Sequence, residues 1–182
     1  MAATTTGQLP TSVTLKDGSI ARLRPICPED EPELTAFYER LSPTSAYQRF
    51  HTLMARLPPD WARFLANVDY ERRMAIVAVD SEDRLIAVAR YDYNEQSEDA
   101  EVAIVVQDQW QGKGLGTKLM TELLSYAEAK GIARFRAHVL ADNRRMLDMF
   151  TRVTRILKSQ TQSGITSLLF APLPRTEPIG HR

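Results

Sequence analysis

The sequence predicts a single α/β (α+β) domain on a central mixed, mostly antiparallel sheet of six to seven strands flanked by helices. Three observations lead there. Segments with strand-like alternation and segments with helical spacing are interleaved along the chain rather than collected into separate halves. Three β-rich stretches, Met74 to Val79, Leu85 to Tyr93 and Ala100 to Val106, follow one another with only polar turns between them, as in an antiparallel meander. The length of 182 residues suffices for one sizeable core without disulfides or metal.

In chain order, Lys16, Asp17, Gly18 and Ser19 make a turn, and Ile20 to Ile26 alternates Ile20, Arg22 and Arg24 against Ala21 and Leu23 as a half-buried strand does. Pro28, Glu29 and Asp30 give an acidic first turn to a helix ending near Leu41. Ser42 and Pro43 start a short helix through Tyr47 and Phe50, and another runs from about Pro59 to Val68. After the meander, a helix from Gly114 carries Leu115, Leu119, Leu123 and Ala127 on one stripe and stops at Lys130 and Gly131. Phe135 to Leu140 is a strand. Asp142 or Asn143 caps a last helix bearing Met146, Leu147, Phe150 and Val153, before strands near Arg155 to Gln160 and Ile165 to Phe170. Residues 1–12 and 172–182 are rich in breakers and read as flexible tails around a domain at 13–171.

Lys plus Arg and Asp plus Glu each total 23, so no chain-wide basic field favours nucleic acid or an anionic membrane, and any anion site must be local. Cys27 is the single cysteine, which fits a reducing compartment. The Met-Ala-Ala-Thr-Thr-Thr start lacks the charged and apolar regions of a signal peptide, and no apolar run approaches the roughly 20 residues of a spanning helix, so a cytoplasmic address is expected. No Cys, His and carboxylate cluster has metal spacing. Monomer and homodimer both remain open.

The chemistry-bearing segment is Gln111, Gly112, Lys113, Gly114, Leu115, Gly116 and Thr117, set between a strand and a helix. Glycines there let backbone N–H groups converge on an anion, and the helix start adds partial positive charge. The Walker loop is excluded because Thr117 stands where its second glycine must be, five places after Gly112; the dinucleotide fingerprint fails at the same residue. Instead, Gln111, Gly114 and Gly116 fill the fixed positions of the motif Gln or Arg, two residues, Gly, one residue, Gly or Ala. In this the chain resembles the GNAT superfamily of N-acetyltransferases, whose element order it follows over about residues 13–171.

The resemblance implies acetyl-CoA as co-substrate, with the pyrophosphate on Gln111 to Thr117, backbone N–H groups of the strand end at Ile104, Val105 and Val106 serving the thioester, and Asn143 contacting the pantetheine arm or simply capping its helix. Lys113, Lys118, Arg144 and Arg145 are further candidates for phosphate, each also readable as a solvated surface charge. A finer likeness, through Leu15, Asp17, Gly18, Arg24, Pro25, Leu41, Ser42, Tyr47, Arg49 and Phe50, is to bacterial protein lysine acetyltransferases acting on acyl-CoA synthetases. It implies a protein presenting a lysine as partner and Glu101 as general base.

A base matters, because a lysine with pKa about 10.4 is neutral in roughly one molecule per 2,500 at pH 7, a barrier near 4.6 kcal/mol before chemistry begins. Glu101 fits if burial in its apolar strand raises its pKa; otherwise it is a solvent-facing residue at a strand start. Phe150 stands where many members of the superfamily have a tyrosine that protonates the thiolate, and the usual Gly-Phe after that helix is Val153, Thr154 and Arg155 here. His51 reads as structural, and so does His138, which also qualifies as a second base. Small-amine or antibiotic acetylation, and coenzyme sensing without turnover, stay open as alternatives.

Overall fold

The computed structural model describes residues 12–54 and 56–174. The tails expected at 1–12 and 172–182 fall almost wholly outside the described residues. Eight strands form one sheet in the order β1-β2-β3-β4-β5-β6-β8-β7, with β1 Val13–Thr14, β2 Ile20–Pro25, β3 Arg73–Val79, β4 Leu85–Asn94, β5 Asp99–Val106, β6 Phe135–Leu140, β7 Thr154–Gln162 and β8 Ile165–Pro172. Every neighbouring pair is antiparallel except β5 and β6. The strand beyond the expected seven is β1, whose two residues are too few to show alternation.

Five helices cover both faces: α1 Glu31–Glu39, α2 Pro43–Phe50, α3 Pro59–Ala66, α4 Leu115–Ala129 and α5 Arg144–Val153. This double cover explains why β3 is apolar without alternation. Met74, Ile76 and Ala78 join the core holding Leu119 and Leu123 of α4 and Phe150 of α5, while Ala75, Val77 and Val79 join the core holding Leu34 and Phe37 of α1 and Ala62 of α3.

Helix ends follow the local chemistry. The Ser42 hydroxyl accepts from the Ser45 N–H at 3.1 Å to start α2, and the Asn143 side-chain oxygen Oδ1 accepts from the Met146 N–H at 3.3 Å to start α5. After α4, Gly131 takes φ 85° and its N–H donates to the Glu128 carbonyl, which closes the helix. The first expected helix is split, with a 3-10 turn at Pro28–Asp30 before α1. The cause is Asp30, whose carboxylate accepts from the Cys27 N–H at 2.9 Å and is gripped by both terminal nitrogens of Arg24 at 2.7 Å. Burial alone would raise the Asp30 pKa, but the Arg24 fork and the Cys27 N–H outweigh it and hold the carboxyl below its ordinary range.

Candidate active site

The site begins where two strands part. β5 and β6 pair only at Ala100 with Phe135 and at Glu101 with Arg136; from Val102 onward they diverge, while β5 stays paired to β4 and β6 to β8. The gap opens into a cleft of about 960 Å³, walled by the divergent stretches of β5 and β6, by α2 and α3 on one flank, and by the starts of α4 and α5 on the other. A volume of this order suits a coenzyme-sized ligand.

One end of the cleft is the glycine loop. Gly112 and Gly114 sit at φ 75° and 89°, in left-handed backbone that a side chain would strain. Gly114 thereby turns the chain into α4, whose first N–H groups, at Leu115, Gly116 and Thr117, lie before the first intrahelical bond and so remain free to bind an anion. Gly116 faces Ile104 and Val106 of β5 and Met149 of α5, where an added Cβ would meet atoms at 3.6 to 3.8 Å.

Gln111 ties this end together. Its side-chain N–H groups donate to the Val106 carbonyl at 2.9 Å and the Ser45 hydroxyl at 3.0 Å, and its carbonyl accepts from Arg145 at 2.8 Å. The end of β5, α2 and α5 are thus joined through one amide. Beside it, the Asp108 carboxylate accepts from the Ser42 N–H, the Ser42 hydroxyl and the Ser45 hydroxyl at 2.6 to 2.9 Å. Burial pushes the Asp108 pKa up, but these donors prevail and keep it below the ordinary carboxylate range. Asp108 escaped the sequence reading; its only signal was an acid just past the strand end, with a Ser-x-x-Ser cap far upstream.

The other end carries the titratable groups. Glu101, His138 and His51 all line the cleft, from β5, β6 and the residue just after α2. Of the two readings of Glu101 the structure takes the solvent-facing one: its side chain is exposed and, among the described residues, makes no hydrogen bond or ion pair. His138 Nδ1 lies 3.0 Å from the Ser167 hydroxyl. His51 caps α2 in left-handed backbone at φ 55°, and its Nε2 is buried without a hydrogen-bond partner. Burial draws the His51 pKa below its ordinary value, helped by His138 and Arg49 and opposed by a hydrogen bond to the Gln48 backbone and by Glu101. The other buried side-chain nitrogen without a partner among the described residues is Nε1 of Trp110, on the same cleft.

The basic candidates separate. Lys113 is not among the residues lining the cleft; it forms an ion pair with Asp17 at 2.8 Å and lies 4.9 Å above the Trp110 ring, and that ammonium and Ser19 hold the Asp17 carboxyl far below its ordinary range. In its place Lys16, which the sequence reading left in a turn, lines the cleft with its chain 3.5 Å from where a Gly114 Cβ would stand. The Lys16 N–H donates to the Lys113 carbonyl at 3.0 Å, which joins the first hairpin to the glycine loop. Arg145 lines the cleft, Arg144 lines a different hollow against β7 and β8, and Lys118 is exposed away from both. Leu115 is 1% exposed, so only its backbone can serve a ligand. Phe150 is 2% exposed and packs on Phe170 at 5.1 Å, a core contact in place of a proton donor.

Comparison with known proteins agrees with this geometry. The profile of the acetyltransferase (GNAT) family matches residues 32–154. An acetyltransferase of Pseudomonas aeruginosa, PA5475, is 32% identical over 139 residues, 75% of each chain. The acetyltransferase Pat of Mycolicibacterium smegmatis is 32% identical over 147 residues, which are 79% of this chain but 44% of that one, so this chain spans less than half of its length. The crystal structure of the GNAT domain of S. lividans PAT superposes with a TM-score of 0.81 at 32% identity, covering 88% of this chain and 95% of that domain.

Proposed function

This chain belongs to the GNAT family of acetyltransferases, and from that premise we propose that it moves the acetyl group of acetyl-CoA onto the ε-amine of a lysine displayed by a cytoplasmic protein, such as an acyl-CoA synthetase. The observation that carries the reading is the parting of β5 and β6 just past Glu101, which sets a carboxylate at one end of a cleft whose other end is the glycine-rich start of α4. The loop amides and the α4 dipole favour the pyrophosphate there, with Lys16 adding a charge-assisted contact. The free edge of β5, where the N–H groups of Ile104 and Val106 face away from β4 while that of Val105 faces it, then offers donors to the oxygen that becomes negative in the tetrahedral intermediate. Gln111, bonded to the Val106 carbonyl, fixes that edge beforehand.

Glu101 acts as base through its place at the open end of the cleft, taking a proton directly or through one water. Asn143 caps α5, and its amide N–H remains available to the pantetheine arm. The protein acceptor is favoured by the 32% identity to Pat and to the S. lividans PAT domain. It is also favoured by the exposed rings of Trp61 and Phe64 on the cleft's flank, apolar surface suited to a protein partner.

The test is incubation with labelled acetyl-CoA and either cell lysate or a panel of polyamines and aminoglycosides. Label should appear on lysines of one or a few proteins. Fast label on small amines with none on protein would assign the enzyme to small-molecule acetylation.

A further inference from the structure

Three groups hold the Gln111 amide, and two of them have a fixed sense. The Val106 carbonyl can only accept, at 2.9 Å from Nε2, and the Arg145 guanidinium can only donate, at 2.8 Å from Oε1. The third, the Ser45 hydroxyl at 3.0 Å from Nε2, can do either. What Ser45 offers Gln111 therefore depends on where its own proton goes.

That proton goes to Asp108. Its Oδ1 lies 2.8 Å from the Ser45 hydroxyl and 2.6 Å from the Ser42 hydroxyl, while Oδ2 accepts the Ser42 N–H at 2.9 Å. Burial opposes the charge, but these donors hold the carboxyl below its ordinary range, so it accepts at every one of these contacts. The bonds thus run in one sense, from the Arg145 cation to Gln111, from Gln111 to Ser45, and from Ser45 to the Asp108 anion. Ser45, Gln111 and Arg145 line the cleft, whereas Asp108 does not. It stands in the 3-10 turn Asp108–Trp110, between the end of β5 and the glycine loop, and reaches the first turn of α2.

We infer that Asp108 is a positioning residue for the coenzyme: by drawing the Ser45 proton to itself it keeps that hydroxyl an acceptor for Gln111, and so holds Gln111 where it anchors Arg145 and the Val106 end of β5. This rests on the coenzyme site proposed above. Asparagine at this position keeps the shape and loses the chemistry. Its oxygen must stay with the Ser42 N–H, which cannot turn, so its amide N–H groups face the two hydroxyls. Nothing then directs the Ser45 proton away from Gln111, and the bond that ties α2 to the coenzyme loop weakens.

The test is a double-mutant cycle read by calorimetry with CoA. Asp108 is exposed at its turn, so Asp108→Asn should fold. It should weaken CoA binding about fivefold, and Ser45→Ala should weaken it by a similar factor. In a Gln111→Met background Asp108→Asn should change the Kd by less than about twofold, because the residue it acts through is gone. Equal losses in both backgrounds, or a parent-like Kd for Asp108→Asn alone, overturn the inference and leave Asp108 as an anchor of α2 only. Where the Gln111→Met protein binds CoA too weakly to measure or fails to fold, the side-chain ¹H–¹⁵N pair of Gln111 decides without ligand. It should move on Asp108→Asn, and a signal left in place overturns the inference. A parent protein that binds no CoA refutes the coenzyme site instead, and the same Gln111 signal then decides on Asp108.

Discussion

The two glycines that flank the start of α4 should respond to alanine with opposite signs. Gly114 holds φ 89°, so Gly114→Ala forces an L residue into left-handed backbone at about 1–2 kcal/mol. Crowding adds little, since the nearest atoms to the new Cβ belong to the flexible chain of Lys16, at 3.5 Å. Gly116 lies inside the helix with no such φ, and its Cβ would make ordinary contacts with Val106, Ile104 and Met149 at 3.6, 3.7 and 3.8 Å. There alanine should gain up to about 1 kcal/mol of helix propensity. The two variants should therefore differ by about 2 kcal/mol, or about 4–8 °C in Tm for a chain of this size. Thermal and urea unfolding of both proteins measure this. Equal Tm values, or a Gly116→Ala protein less stable than Gly114→Ala, would refute the assignment of conformational strain to Gly114 and of ordinary packing contacts to a Gly116 Cβ.

Three further outcomes follow from the same geometry. Glu101→Gln should lower kcat about a hundredfold while acetyl-CoA affinity, read by calorimetry, is unchanged; unaltered turnover at every pH would remove Glu101 as base. Lys16→Met should weaken CoA binding several-fold and flatten its salt dependence, whereas Lys113→Met should do neither, because Lys113 is engaged by Asp17. Arg24→Met should cost about 2–3 kcal/mol in urea unfolding, since it strands the buried Asp30 carboxylate; the figure is discounted because the guanidinium is 38% exposed. The sign with pH is fixed by the depressed Asp30 pKa: the pair's contribution is complete above about 3.9 and decays as pH falls through the native value, so the parent should lose more stability than Arg24→Met on acidification.

What was legible in the sequence is what local chemistry decides. Ser42 and Asn143 announce their helices because a cap needs only its own next turn, and Gly114 and Gly131 mark φ values that other residues avoid. The unbroken apolar run of β3 was read only as a strand of the meander, although a strand without alternation is the mark of a sheet covered on both faces. The site was legible only where its motif is contiguous. Gln111 and the glycines could be read, but Lys16 reaches the loop through a hairpin pairing, and Asp108 meets Ser42 and Ser45 across more than sixty residues of chain. Lys113 misled for the converse reason: nothing local shows that Asp17 is near enough to take it. For Glu101 the apolar strand left burial and exposure both open, and the structure takes the exposed reading, at the last residue of β5 that pairs with β6.

The claim beneath all of this is that amides at the start of α4 hold the coenzyme's linked phosphates while the free edge of β5 receives its thioester. Backbone ¹H–¹⁵N spectra recorded as CoA is added test it residue by residue. The largest shifts should fall on Gly112, Gly114, Gly116 and Thr117, with a second set at Ile104 and Val106 on the free edge of β5. Saturation with CoA that leaves those six amides unmoved, or no binding at all, would contradict the account.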